Sequence, residues 1–352
     1  VTESDNRPFW NGKPGHYEPW FLTMSDGRTG YWIRYALMAP TGAPSEGRLW
    51  FARFDRENPE RSFGMNRGVP IDETDVRAEP FGVRIAGATL ASGHARGSIE
   101  GDGRRVIWDI RWETGDETHR LLPDAFYRGG LAPTRPYSPN PHTRFRGTIR
   151  VDGERHELDG VPGQQGHQYG SRHAERWAWA HCSAFEGTDA VLHGLVVQGK
   201  RGPLKTPFTS FVSLRWRGTW LRFAKASRTH DFVVGSWPID VGDRRWHLSG
   251  RVEVDPSLVI QGRYLDPDGS ERFCHNSEVA SSELILFERR RAGFEEIAVL
   301  RSDGTTAAEW AGRTPAPGEY RPHEPVDPPP FQSEVTAAAP VEGPGEHRTP
   351  TP

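Results

Sequence analysis

The sequence predicts an all-β protein made of two antiparallel barrels in tandem, followed by a proline-rich tail. Three observations carry that prediction. Apolar residues alternate at period two, and no long stretch sets them at the i, i+3, i+4, i+7 spacing of a helix. Gly, Asp and Pro turn signals separate the alternating runs at short intervals. An aromatic strand followed by a second apolar strand occurs once near the start and again near the middle of the chain.

Tyr31, Ile33, Tyr35 and Leu37 form one apolar stripe. Val106, Trp108, Ile110 and Trp112 form another, with Arg105, Asp109, Arg111 and Glu113 on the opposite face, as in a half-buried antiparallel strand. Phe145, Gly147, Ile149 and Val151 form a third, and Asp152-Gly153 after it signals a hairpin. Further strands are expected over 175–186, 190–198, 209–217, 245–255, 282–290 and 295–301. Glu186-Gly187, Asp266-Pro267-Asp268-Gly269 and Ser302-Asp303-Gly304 supply turns between them. Closing so many strands into barrels removes their exposed edges.

A faint repeat supports two barrels. Tyr17-Glu18-Pro19-Trp20-Phe21 and Glu175-Arg176-Trp177-Ala178-Trp179 open similar strand pairs, and Gly103-Arg104-Arg105 and Asp243-Arg244-Arg245 each precede a Trp-containing strand. The expected units are residues 10–165, 166–311 and a tail over 312–352. Pro123, Pro133, Pro136, Pro139 and Pro141 make 120–142 an irregular crossing, read as a lid over a barrel mouth. The tail holds 11 of the 30 prolines, whose fixed φ and missing donors make it extended and disordered. A Pro-rich docking segment is the functional alternative.

Composition excludes several classes. The chain has 352 residues, 35% hydrophobic and 26% charged, which suits two ordinary cores. No run of about 18 apolar residues is present, so no membrane-spanning helix is expected; contact with a membrane surface stays open. With 44 basic and 47 acidic residues the chain lacks the basic excess of a nucleic-acid binder. Cys182 and Cys274 make no disulfide framework, and residues 1–8 show no signal-peptide pattern. A cytoplasmic protein is expected, with export left open. Phosphate-loop, dinucleotide and Gly-x-Ser-x-Gly signatures are absent, and the 14 histidines have no metal-ligand spacing, so neither cofactor nor metal is expected. The 13 Trp, 17 Phe and 8 Tyr suggest an apolar cavity walled by rings, although strands favour aromatics anyway.

Three patches hold candidate chemistry. Gly163-Gln164-Gln165-Gly166-His167-Gln168-Tyr169-Gly170 sets polar and aromatic groups between glycines and runs into the next strand. On that strand Trp177, Trp179, His181, Ser183 and Phe185 share a face, while Arg176, Ala178, Ala180, Cys182 and Ala184 share the other. Rings mixed with His and Ser suit a ligand cavity, though structural histidines bonded to backbone would look alike. Glu18 beside Trp20 is the first barrel's counterpart: a carboxyl among rings would have a raised pKa and could donate a proton, unless it faces solvent. His275-Asn276-Ser277-Glu278 is a further polar cluster that an ordinary turn or strand edge would also explain.

Tyr17-Glu18-Pro19-Trp20-Phe21, then Gly163-x-x-x-His167-Gln168-Tyr169-Gly170, then Trp177-Ala178-Trp179, resembles the carotenoid hydratase (hydroxyneurosporene synthase) family, which extends to AttH-like proteins. Tocopherol cyclases and the lipocalin-like Diels–Alderases of natural-product pathways look like more distant relatives. Tyr169 stands where the family usually has Trp, and Pro19 interrupts the early strand. The resemblance implies two lipocalin-like (calycin) barrels. It also implies hydration, cyclisation or cycloaddition of a hydrophobic polyene, terpenoid or polyketide substrate, without a nucleotide or an obligatory metal.

On that basis Glu18 is expected as general acid, with His167 and Tyr169 orienting it or holding water. Trp20, Trp177 and Trp179 would stabilise a cation, at about 1–2 kcal/mol per well-placed desolvated ring. Gln168, His181 and Asn276 complete the expected substrate contacts. The rival expectation is a carrier: two such barrels can bind a lipid or isoprenoid without reacting with it.

Overall fold

The computed structural model describes residues 5–115, 117–128, 132–228 and 230–326. Its strands form two antiparallel ladders. The first contains β1 (His16–Ser25), β2 (Thr29–Ala39), β3 (Glu46–Asp55), β4 (Phe63–Pro70), β5 (Asp75–Arg77), β6 (Gly82–Ile85), β7 (Ala88–Ala91), β8 (His94–Gly101), β9 (Arg104–Arg111), β10 (His119–Arg120), β11 (Thr134–Val151) and β12 (Glu154–Gly170). The second contains β13 (Arg176–Cys182), β14 (Val191–Arg201), β15 (Leu204–Trp216), β16 (Thr219–Ser227), β17 (Ser236–Gly242), β18 (Trp246–Glu253), β19 (Ile260–Leu265), β20 (Glu271–Arg290) and β21 (Gly293–Gly312). Among the described residues helix is confined to α1 (Asp124–Tyr127) and short 3₁₀ turns, and no helix is long and apolar enough to cross a membrane.

The two ladders repeat one order. The first runs β4-β3-β2-β1-β12-β11-β9-β8-β7-β6-β5, with β10 beside the first half of β11. The second runs β16-β15-β14-β13-β21-β20-β18-β17, with β19 beside the first half of β20. Thus β1 corresponds to β13, β11 to β20, β12 to β21 and β9 to β18. Arg104-Arg105 and Arg244-Arg245 mark the entry to the equivalent strands β9 and β18. The second ladder is drawn together at its ends by Lys225 on β16, whose ammonium lies 2.6 Å from the Asp240 carboxylate on β17.

Each ladder curls around a packed core in a lipocalin-like, all-β arrangement. Val106, Trp108 and Ile110 alternate inward along β9 and meet Trp20, Leu22, Ile33, Tyr35, Phe51 and Phe145. In the second ladder Ala178, Ala180 and Cys182 point inward from β13. They are small because Phe223, Trp237 and Trp310 fill the interior from other strands. Each such ring contributes about 1.5–3 kcal/mol through burial. A site enclosed within the barrels is therefore corrected: rings fill the interiors, and the Trp177 and Trp179 face turns outward, toward the first ladder.

Two segments differ from the sequence expectation. The irregular crossing expected over 120–142 ends at Thr134, where β11 begins. Pro136, Pro139 and Pro141 lie inside the strand, because its pairing with β12 skips between Tyr137 and Asn140 and again between Asn140 and Thr143. A missing donor costs little at such irregularities. Within the expected tail, β22 (Arg321–Pro325) pairs in parallel with β19 on one side and β4 on the other, joining the ladders. A parallel edge site on both partners and the bare surfaces of Gly64 under His323 and Gly101 under Val326 hold it there. Residues 327–352, including Pro328-Pro329-Pro330, lie outside the described residues.

Candidate functional site

A cavity of about 700 Å³ lies between the two ladders. One wall is the outer face of β1 and β2, with Pro19, Phe21, Trp32 and Arg34. The opposite wall comes from β13, β14 and β15, with Trp177, Trp179, Leu195 and Phe211. Leu121, Leu122, Phe126 and Pro136, on and beside α1, cover one side. The floor holds polar groups from β20 and β21: Asn276, Glu278 and Glu309.

Period-two geometry explains which groups reach the cavity. On β1, Glu18 and Trp20 face the first core, so Pro19 and Phe21 face out. The glycines of the 163–170 patch serve close packing: the Phe21 ring lies directly on Gly166, where no side chain would fit. Gln168, pointing to the same side, lines the cavity.

Glu278 is the unusual group of the floor. Its residue is 3% exposed, and its Oε2 has no hydrogen-bond partner among the described residues. Burial, reinforced by the nearby Glu309 carboxylate, pushes its pKa well above the usual carboxylate range. The carboxyl therefore keeps its proton at pH values where an exposed Glu has lost it. β20 carries it on an irregular stretch, where pairing with β21 skips between Ser277 and Ala280. The amide of Asn276 is buried too, with neither Oδ1 nor Nδ2 partnered. Glu309 sits opposite Asn276 on β21, and its Oε1 accepts a 2.5 Å hydrogen bond from the Trp177 indole N–H.

A second polar set borders the cavity. His173 approaches the Asp266 carboxylate through both its backbone N–H and ring Nδ1, each at 2.7 Å, and Arg272 pairs with the same carboxylate at 2.9 Å. The His173 ring stacks between Tyr17 and Trp177, with centroids at 4.2 and 5.6 Å. Burial lowers its pKa despite Asp266, leaving a neutral ring held by its carboxylate. Trp179 donates its indole N–H to His193 Nε2 at 3.0 Å.

The sequence-predicted residues separate into two places. Gln168, Trp177, Trp179 and Asn276 line the cavity. Glu18, Trp20 and Tyr169 do not; they belong to a cluster at the mouth of the first barrel. There Glu18 accepts the backbone N–H groups of Phe9 and Trp10 at 2.8 and 2.9 Å, and lies 2.9 Å from both His16 Nε2 and His167 Nε2. His167 borders the cavity, but both ring nitrogens are engaged, Nδ1 with the Asp5 carbonyl at 2.7 Å. Trp20 stacks on His167 and donates to the Asn6 carbonyl, while Tyr169 stacks on Phe9 at 3.9 Å. His181 donates to the Pro141 carbonyl at 2.7 Å and is held neutral by burial, its pKa near 3.

The expected raised pKa of Glu18 is corrected. Burial does push it upward, but the hydrogen bonds from His16 and His167, the His167 charge and the Phe9 N–H outweigh burial, and the net shift is downward. Such a group is a poor proton donor. The sequence reading missed Glu278 as an acid, although it named the 275–278 cluster. It also missed Glu309 and Arg34. Glu309 had one signal, its place before Trp310 on an alternating run; Arg34 had none beyond the outer face of its stripe. Among the described residues no three His, Cys, Asp or Glu side chains are grouped to hold a metal ion.

Residues 141–312, from the middle of β11 to the end of β21, match the tocopherol cyclase-like family. No curated protein sequence matches the chain. The structure is similar to that of a Nitrosomonas europaea protein described as an AttH, at 14% identity and a TM-score of 0.50, covering 87% of this chain and 94% of that one. Kievitone hydratase from Nectria haematococca aligns at 12% identity and a TM-score of 0.48, covering 88% and 92%. The chain is thus similar to tocopherol cyclase-like proteins over 141–312 and to an AttH in overall fold, in agreement with the resemblance carried by its Tyr17–Phe21, Gly163–Gly170 and Trp177–Trp179 patches.

Proposed function

We propose that this protein is an enzyme that protonates an alkene of a hydrophobic prenyl, polyene or polyketide substrate and steers the resulting cation to water or to an internal nucleophile. One observation carries the reading: a buried carboxyl, Glu278, whose Oε2 has no hydrogen-bond partner among the described residues, opens into an aromatic cavity. The tocopherol cyclase-like match over 141–312 supports it, because the matched segment supplies Trp177, Trp179, Asn276, Glu278 and Glu309.

The chemistry balances without a redox partner. The alkene π pair takes the Glu278 proton, forming a C–H bond and leaving a carbocation and a carboxylate. Trp32, Trp177 and Trp179 face that charge at about 1–2 kcal/mol per well-placed ring. In a hydratase, water attacks the cation and gives up a proton; in a cyclase, a substrate hydroxyl does so. Glu309 would take that proton, and Glu278 would regain one before the next cycle. Asn276 would orient water or the substrate hydroxyl, and the facing walls would hold the chain folded for reaction. A cycloaddition would use only the shape of the cavity and leave Glu278 dispensable.

The test is turnover in deuterium oxide with prenylated phenols and linear polyenes as substrates. Deuterium on the former alkene carbon, lost in Glu278→Gln, is the expected result. Equal product from Glu278→Gln would remove the acid from the mechanism. Native mass spectrometry showing only stoichiometric, unmodified lipid would replace the enzyme by a carrier.

A further inference from the structure

Arg34 is a buried cation without a counter-ion. Its residue is 6% exposed and it lines the cavity, yet among the described residues no carboxylate lies within ion-pair distance and no acceptor takes its N–H groups. Its guanidinium rests instead on rings: 4.3 Å from the Tyr264 centroid, and 5.9 and 6.0 Å from Trp32 and Trp50. The other two buried arginines among the described residues are ion-paired. Arg53 pairs with Asp55 at 2.8 Å and Arg272 with Asp266 at 2.9 Å. Burying an unpaired charge is costly, and stacking on rings recovers only part of that cost.

The stacking has a geometric consequence. A guanidinium is a planar fork of donors matched to a carboxylate. With Cζ resting over the Tyr264 ring, the N–H groups of the fork remain for another group, and the cavity is the space Arg34 borders. Gly30, Trp32 and Arg34 alternate along the same face of β2, with Gly30 packed against Glu278. At about 3.4 Å per residue, roughly 14 Å of strand separates the Arg34 end of the cavity from the Glu278 end.

We infer that Arg34 receives a carboxylate at one end of an otherwise apolar substrate, whose alkene lies toward Glu278. This rests on the proposed alkene chemistry only for the role of the far end; it adds the substrate's polar terminus. Docking the carboxylate would set which double bond along the chain meets the acid.

The experiment measures binding without turnover, by quenching of tryptophan fluorescence, with retinoic acid, methyl retinoate and retinol as probes. They share one polyene and differ only at the terminal group. The wild-type protein is expected to bind the acid about tenfold or more tighter than the ester or the alcohol. Arg34→Met should bring acid affinity down to that of the ester while ester affinity stays within about twofold, which also reports an intact cavity. Arg34→Lys, which keeps the charge without the fork, should retain part of the preference. Glu278→Gln should bind all three probes as the wild type does, so loss of the acid chemistry shows in turnover and not here. Equal binding of acid and ester to the wild type, persistence of the preference in Arg34→Met, or binding of no probe would each overturn the inference.

Discussion

Gly30 on β2 is pressed against Glu278 on β20: a side-chain carbon at residue 30 would fall 2.6 Å from Glu278 Cβ and 3.0 Å from its backbone carbonyl. The contact joins the two ladders at the acid of the cavity floor. Gly30→Ala must push β20 away, because the obstacle is partly backbone. Overpacking of this kind costs about 1–3 kcal/mol. A shift of the acid by a fraction of an ångström should lower kcat by about tenfold or more while the fold survives. Thermal unfolding and steady-state kinetics on the purified variant check both numbers; unchanged kcat would detach this contact from the chemistry.

Glu278 also predicts a pH dependence of stability. Its folded pKa is raised well above the ordinary carboxylate value of 4.5. The neutral carboxyl is tolerated at low pH, and stability is lost as pH rises from the unfolded pKa through the folded one. Glu278→Gln removes that loss. The variant should melt higher than the wild type at pH 8 and show a flatter profile from pH 5 upward, while turnover falls about a hundredfold or more. A lower melting temperature at pH 8 would contradict the neutral, buried acid.

The same residues show what the sequence makes legible. The β9 stripe of Val106, Trp108 and Ile110 is readable because alternation alone decides burial when one face meets a core. Trp177 and Trp179 are readable as a wall, since bulky rings opposite Ala178, Ala180 and Cys182 leave one face too large for a filled barrel. Glu278 is not readable as an acid: its burial is created by β2, far away in sequence, and by an irregular pairing that period two does not encode. Glu18 misleads for a related reason. The groups that lower its pKa include the N–H of Phe9, outside any strand. The strand at 321–325 is hidden because Pro322 and Pro325 supply no N–H to a ladder and read as part of an irregular tail.

For Glu18 the geometry predicts a holding role. It gathers Phe9 N–H, Trp10 N–H, His16 and His167, and so fixes the segment that closes the first barrel. Its pKa is lowered on folding, so its stabilisation is present above the unfolded pKa and is lost as pH falls through the folded one. Glu18→Gln should therefore cost about 2–4 kcal/mol at pH 7, with the difference from wild type shrinking below pH 4. Denaturant titration at the two pH values measures it. The folded fraction of the variant should keep its turnover; a loss of kcat with unchanged stability would return Glu18 to the reaction.

The final prediction concerns β22, the strand shared by both ladders. Its His323 packs on Gly64 and lies 5.4 and 5.2 Å from the Trp32 and Trp50 ring centroids, and Val326 seats on Gly101 in the first core. Trp32 lines the cavity and Arg34 rests on both of these tryptophans, so the strap braces the wall that carries Arg34. A chain ending at Tyr320 loses the parallel pairing to β19 and β4 together with both buried side chains. Compared with a chain ending at Val326, it should unfold at lower denaturant by about 3–5 kcal/mol and expose its two ladders to separate transitions. The check is denaturation followed by tryptophan fluorescence and far-UV circular dichroism in parallel. Coincident, unshifted transitions in the two chains would show that β22 covers the seam without holding it.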